Sequence, residues 1–185
     1  MLFIHFCIRR VHTLQFMKAN FSHINSISTL YIDSWKTTYR DLVPDSYLEK
    51  LSYQESEEKW SNFLQKDGAS IVAAFSDQQT IVAFGAYEQY SHSSHKGELV
   101  ALYISEGTQG QGLGTLLMDF IKRDLYSLGV QSIDIWALGK NKRAVNFYKR
   151  QGARFVKNQP HEFDGVFLDD VLYTYDLTNN KTCRS

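Results

Sequence analysis

The spacing of apolar positions changes period several times along the chain. Between residues 20 and 64, apolar side chains recur at intervals of three and four: Ile24, Ile27, Leu30, Tyr31 and Trp35, then Tyr47, Leu48 and Leu51, then Trp60, Phe63 and Leu64. Such intervals lay one apolar stripe along a helix. Asn20 stands as an N-cap, the first helix runs on into Thr37-Thr38-Tyr39, and Pro44 marks a break and restart. Ser52-Tyr53-Gln54-Glu55 has capping-box spacing and opens a third helix. A short strand over residues 15–19 precedes this helical third.

The middle of the chain has a different rhythm. Residues 70–75 and 80–87 are apolar runs of strand length separated by Ser76-Asp77-Gln78-Gln79, the pattern of an antiparallel hairpin. A polar loop over residues 91–97 leads into Glu98-Leu99-Val100-Ala101-Leu102-Tyr103-Ile104, a buried strand. Leu113, Leu116, Leu117, Phe120, Ile121, Leu125 and Leu128 return to helical spacing, with Gly129 placed as a C′ residue. Residues 131–138 alternate as a strand. Residues 141–151 form a short helix that buries Ala144, Val145, Phe147 and Tyr148 and is closed by Gly152. Strands follow near residues 154–156 and over 167–176. A strand–helix–strand unit sets its strands parallel, whereas hairpins set theirs antiparallel. The fold class is therefore α/β of the α+β type, a mixed, mostly antiparallel central sheet flanked by helices.

At 185 residues, 43% of them hydrophobic, the chain fits a single globular domain. That domain spans residues 15–178. Residues 1–14 read as a poorly specified extension upstream of a natural start, with an extra edge strand as the alternative, and residues 179–185 as a tail. Basic and acidic residues, 20 of each, cancel, so net charge favours neither nucleic acid nor a membrane surface as partner. Lys140, Lys142, Arg143, Lys149 and Arg150 cluster, and such a run is most often a solvated face. Cys7 and Cys183 match no metal or redox spacing, which fits a reducing cytoplasm. No run approaches the roughly 18 apolar residues that span a bilayer.

Gln109-Gly110-Gln111-Gly112-Leu113-Gly114 lies between the buried strand and the long helix. A glycine-rich turn opening a helix aims unpaired N–H groups and the positive end of the helix dipole at one spot, which binds anions, phosphate above all. A Walker loop fails, because Leu113 stands where its lysine must be. A dinucleotide turn fails as well. Thr115 replaces its third glycine, and Asp134, at the distance of the ribose acid, sits inside a strand with no second doubly wound half behind it. His92 and His95 have metal-like spacing but no third ligand near them in sequence, so no metal is expected.

A third pattern, Gln/Arg-x-x-Gly-x-Gly/Ala, is matched by Gln109, Gly112 and Gly114. With it come the strand from Glu98 to Ile104, the helix Asn141-Lys142-Arg143-Ala144-Val145-Asn146-Phe147-Tyr148, Gly152 after that helix, and the early Ser34-Trp35-Lys36-Thr37-Thr38-Tyr39 and Val43-Pro44. On these residues the chain resembles the GCN5-related N-acetyltransferase (GNAT) family from about residue 16 to residue 177. The resemblance implies that family's fold, acetyl-coenzyme A as co-substrate, an amine acceptor, no metal, and a homodimer, since members often pair. It implies that the pyrophosphate rests on Gln109, Gly110, Gln111, Gly112, Leu113, Gly114 and Thr115. The pantetheine arm would run along Leu102, Tyr103 and Ile104 and touch Asn141, which would serve equally as an N-cap.

Transfer of the acetyl group needs a neutral amine, a group facing the carbonyl oxygen as negative charge develops there, and a proton for the departing sulfur. The resemblance assigns that proton to Tyr148, although an aromatic beside Phe147 at helical spacing would also be core. It assigns the base to Glu98, which as a strand-end residue could be merely solvated; Glu88 and Asp169-Asp170 are alternatives. Trp35 and Tyr39, with Tyr47, Tyr90 and Asp169 near them, are candidates for the acceptor pocket, and Trp35 reads equally well as core. Two departures from the family pattern stand out. Gly139 precedes Asn141 where a larger residue is usual, and Gly152-Ala153-Arg154-Phe155 replaces a more usual Gly-Phe. The competing function is a coenzyme A-binding module that regulates without catalysing.

Overall fold

A computed structural model describes residues 4–8 and 12–178, with side chains from residue 14 onward. Its described strands make one eight-stranded mixed sheet in the order β1-β2-β3-β4-β5-β6-β8-β7. Strands β1 (Ile4–Ile8) and β2 (His12–Lys18) pair antiparallel at one edge, so the backbone over these residues follows the edge-strand alternative. Asn20 caps a 3-10 turn at Phe21–His23 through a capping box with His23, and α1 (Ile24–Thr38) continues from it. Pro44 precedes a short α2 (Asp45–Glu49). Ser52 accepts from the Glu55 N–H at the start of α3 (Tyr53–Leu64).

Strands β3 (Ala69–Phe75), β4 (Ile81–Gln89) and β5 (Lys96–Ile104) form an antiparallel meander. Helix α4 (Leu113–Ser127) crosses to β6 (Ser132–Leu138), which pairs parallel with β5. It ends in a Schellman motif: Gly129 adopts φ +86°, with its own N–H and that of Val130 donating back to Tyr126 and Leu125. Helix α5 (Lys142–Arg150) and the hairpin β7 (Arg154–Phe163) and β8 (Val166–Asp176) complete the chain. Strand β7 is far longer than the three residues expected. It lies at the sheet's other edge and is exposed at every residue but Phe163, so it carries none of the apolar alternation that betrays a half-buried strand.

Each face of the sheet has its own core. Leu113, Leu117, Ile121 and Leu125 of α4 pack with Val145 and Tyr148 of α5 on one face. Ile27 and Ile32 of α1 pack with Trp60 and Phe63 of α3 on the other. The position of the site depends on one local irregularity. The pairing of β4 with β5 slips between Ala86 and Tyr87, whose partners are Ala101 and Leu99, so Val100 is left without a partner on β4. At the same level the parallel pairing of β5 with β6 stops, after Leu99 and Ile135. A bulge bends its strand and breaks the ladder locally. From Ala101 to Ile104, β5 stays with β4 while β6 stays with β8, and the sheet opens between them.

Candidate active site

The opening holds a cleft of about 690 Å³ lined from both β5 and β6 and roofed by α4 and α5. Leu102, Tyr103 and Ile104 line it along a strand side that makes no ladder pairing with β6. Such a strand side can accept an extended ligand much as a sheet accepts another strand. Gln109, Gly110, Gly112, Leu113, Gly114, Thr115, Asn141 and Tyr148 line the same cleft, so residues spread over forty-odd positions of sequence meet at one place. Among the expected cofactor contacts, the Gln111 side chain departs: its amide donates to the Gly107 carbonyl at 3.3 Å instead of lining the cleft.

Two physical reasons account for the glycines of the turn. Gly110 and Gly112 have φ of +79° and +85°, and a Cβ on either would point into open space. Left-handed geometry, not crowding, selects glycine there. Gly114 is the opposite case, since a Cβ would come within 3.2 Å of the Phe147 ring and 3.3 Å of Ile104 Cδ1. Close packing of α4 on β5 and α5 selects that glycine. Gly112 is the N-cap of α4 and no side chain caps the helix; its carbonyl accepts from the Thr115 N–H at 3.0 Å, while the N–H groups of Leu113 and Gly114, both lining the cleft, are left for a ligand. A cradle of open backbone at a helix start fits a pyrophosphate. Lys140, Lys142, Arg143 and Arg150 also line the cleft, so four of the five clustered cations face it and do not form a purely solvated face.

Gln109 ties the turn to both flanks. Its amide donates to the Ile104 carbonyl at 2.9 Å, and its oxygen accepts from Arg143 on α5. Asn141 is the N-cap of α5, its Oδ1 accepting from the Ala144 N–H at 3.1 Å. Gly139, the first departure, lets β6 approach β8: its N–H donates to the Asp169 carbonyl at 2.7 Å, and a Cβ would stand 3.0 Å from that oxygen. The second departure, after Gly152, coincides with a register shift between Phe155 and Lys157.

Tyr148 is 7% exposed and faces the cleft from α5. Burial, reinforced by Tyr39, pushes its phenol well above the usual tyrosine range, so the hydroxyl keeps its proton. Tyr39 also lines the cleft, while Trp35 stacks on Tyr39 at 4.3 Å and lies behind it. Glu98 is placed differently. It does not line this cleft; its carboxylate accepts from Tyr90 at 3.0 Å, between Glu88 on β4 and Asp134 on β6 in the strand registers. Burial pushes its pKa up, and Glu88 and Asp134 add to the rise against the Tyr90 hydrogen bond. Among the described residues no group of three or more His, Cys, Asp or Glu could hold a metal.

The model of the Acetyltransferase (GNAT) family matches residues 28–153. The chain is 30% identical over 168 residues to the uncharacterized N-acetyltransferase YuaI of Bacillus subtilis (strain 168), covering 89% of this chain and 95% of that protein. Its fold matches the paia N-acetyltransferase of Thermoplasma acidophilum, solved with coenzyme A, at TM-score 0.71 and 17% identity, covering 88% of this chain and 98% of that one. It matches yncA of Salmonella typhimurium, solved with acetyl-CoA, at TM-score 0.71 and 13% identity, covering 90% and 95%.

Proposed function

We propose, from the premise that this chain belongs to the acetyltransferase (GNAT) family, that it moves the acetyl group of acetyl-coenzyme A to a primary amine of a small molecule or peptide by direct attack. It is an acyltransferase, and its donor is acetyl-coenzyme A. The observation that carries the proposal is the convergence of the glycine turn, the open strand side of β5 and Tyr148 on one cleft.

Acetyl-coenzyme A supplies an activated thioester; the protein positions it. The turn from Gln109 to Thr115 holds the pyrophosphate, with Lys140, Lys142, Arg143 and Arg150 as countercharges around the mouth. Leu102, Tyr103, Ile104 and Asn141 align the pantetheine arm. Binding energy collected at these remote groups fixes the thioester where attack occurs. Tyr148 keeps its proton until sulfur leaves and then donates it. Glu98, the base that the sequence pattern favours, accepts from Tyr90 and lies off the cleft, so it reaches an amine only through water. Trp35 and Tyr39 form the wall on the acceptor side, Tyr39 at the surface of the cleft and Trp35 supporting it.

The compartment we propose is the cytoplasm, in keeping with the thiol pattern; no helix among the described residues is long and apolar enough to cross a membrane. A homodimer through β7 is supported by its position as an edge strand with Phe155 and Val156 exposed at 56% and 48%. The test is a screen of arylalkylamines, polyamines, amino acids, aminoglycosides and peptide N-termini, with free thiol release as readout. Release with at least one class supports transfer. Calorimetric binding of acetyl-CoA with no release from any class favours the regulatory module instead.

A further inference from the structure

Helix α4 carries a buried cation that the reaction described above does not use. Lys122 is 3% exposed, its ammonium 4.2 Å from the centre of the Tyr175 ring of β8 and 3.8 Å from Asp119 on its own helix. Lysine is rarely buried to this extent, and desolvating an ammonium is costly unless it is paired. Its Nζ donates to Gln151 Oε1 at 3.0 Å, and Gln151 Nε2 donates in turn to Thr115 Oγ1 at 3.1 Å. Gln151 is the C-cap residue of α5. Thr115 is the third residue of α4 and lines the cleft beside Gly112, Leu113 and Gly114. Two hydrogen bonds thus run from the buried charge, across the end of α5, to the turn that opens α4.

Each link of that chain has one possible direction. An ammonium can only donate, so the Gln151 amide must turn its oxygen to Lys122 and its NH2 to Thr115. Thr115 Oγ1 must then accept, which leaves its own O–H to donate elsewhere. A helical threonine commonly gives that proton to the carbonyl four residues back, as Thr29 gives it to Asn25 and Thr37 to Asp33. For Thr115 that residue is Gln111, which precedes the Gly112 N-cap, and among the described residues the Thr115 hydroxyl donates to no carbonyl. We propose that Lys122 and Gln151 are positioning residues that hold the Thr115 hydroxyl as a donor to the pyrophosphate of acetyl-coenzyme A, beside the N–H groups of Leu113 and Gly114. The proposal rests on the reading that the turn from Gln109 to Thr115 holds that pyrophosphate. The charge at the head of the chain polarises both links and makes the hydroxyl a stronger donor toward an anion.

The test measures the calorimetric Kd for acetyl-CoA, and thermal melts, on wild type, Thr115→Val, Thr115→Ser, Gln151→Glu, Lys122→Met and the Thr115→Val/Gln151→Glu double variant. In Gln151→Glu both side-chain oxygens accept, one from Lys122 and one from the Thr115 O–H. The hydroxyl then turns away from the cleft while the buried ammonium gains a carboxylate partner. Binding should weaken about tenfold or more in Thr115→Val and in Gln151→Glu, the scale of one hydrogen bond to a charged group. The Gln151→Glu melting temperature should stay at or above wild type. Thr115→Ser should bind within about threefold of wild type, and Lys122→Met about threefold or more weaker, because the freed amide turns either way. The double variant should bind within about twofold of Thr115→Val alone, the non-additivity of groups in one chain. Wild-type affinity in Thr115→Val, Gln151→Glu or Lys122→Met overturns the proposal. So does a double variant that shows the full product of the two single effects, since carboxylate repulsion and not hydroxyl direction would then be at work. A loss of affinity in Gln151→Glu matched by a lowered melting temperature marks a merely structural contact and overturns it too. Those results leave the pyrophosphate reading standing, whereas a wild type that binds no acetyl-CoA refutes that reading and this proposal with it.

Discussion

Gly112→Ala separates the two tasks the turn performs. The residue has φ +85° and ψ −4°, and a Cβ there would have no heavy-atom neighbour within 4 Å, so the substitution creates no clash. An L-residue held in left-handed geometry costs about 1–2 kcal/mol. In a chain of this size class each kcal/mol moves Tm by about 2–4 °C, giving a fall of about 2–8 °C. Relief of that strain would shift the turn and spoil an N–H bond to phosphate. Hydrogen bonds to charged groups are worth about 1.5–3 kcal/mol, which at about 1.4 kcal/mol per decade weakens acetyl-CoA binding roughly ten- to a hundredfold. Gly107→Ala is the internal control: its Cβ is equally free of neighbours, its φ is not positive, and it stands one turn earlier in the Glu106–Thr108 3-10 segment. It should leave both Tm and affinity unchanged. Calorimetric Kd values and thermal melts of the two variants decide the matter. If Gly112→Ala lowers Tm but binds acetyl-CoA as tightly as Gly107→Ala does, the left-handed residue serves only to start α4 and the anion argument is wrong.

Tyr148→Phe removes the proton offered to sulfur while keeping the ring in its place against α4, and kcat should fall by about a hundredfold with KM for acetyl-CoA nearly unchanged; an unaltered kcat would return Tyr148 to a packing role. Glu98→Gln should show itself in stability against pH. Burial raises the folded carboxyl pKa, so neutral Glu98 favours the fold fully below the unfolded value of about 4.3, and this contribution is lost as pH rises toward the folded value. The neutral variant should therefore melt above wild type at pH 7, with the gap closing toward pH 4. A gap of equal size at both pH values would show that the carboxylate is not what burial penalises.

The parts of the molecule legible in the sequence are those whose signal is local. Caps at Asn20, Ser52 and Asn141, the Schellman glycine after α4 and the glycine turn are each written in a few consecutive residues, and each forms as that local chemistry requires. The cofactor side proposed for the cleft draws on two such stretches, the turn and the start of α5, together with the strand β5. What escaped is non-local. Strand β7 has no apolar face of its own to announce it, and its existence depends on pairing with β8. The turning of Lys140, Lys142, Arg143 and Arg150 toward the cleft depends on where α5 docks, which no spacing within residues 140–150 encodes.

The same distinction explains why the donor is easier to read than the acceptor. A pyrophosphate is the same anion in every relative, and one helix start can hold it through backbone alone. The acceptor side proposed above draws instead on side chains from separate elements, Tyr39 on the cleft with Trp35 of α1 and Tyr47 of α2 in ring contact behind it. If pairing of β5 with β6 continued past Leu99 and Ile135, β5 and β6 would close over the gap in which Leu102–Ile104 present their free side. The bulge therefore sets whether β5 has a free side for an extended ligand at all, which no single side chain of the cleft decides.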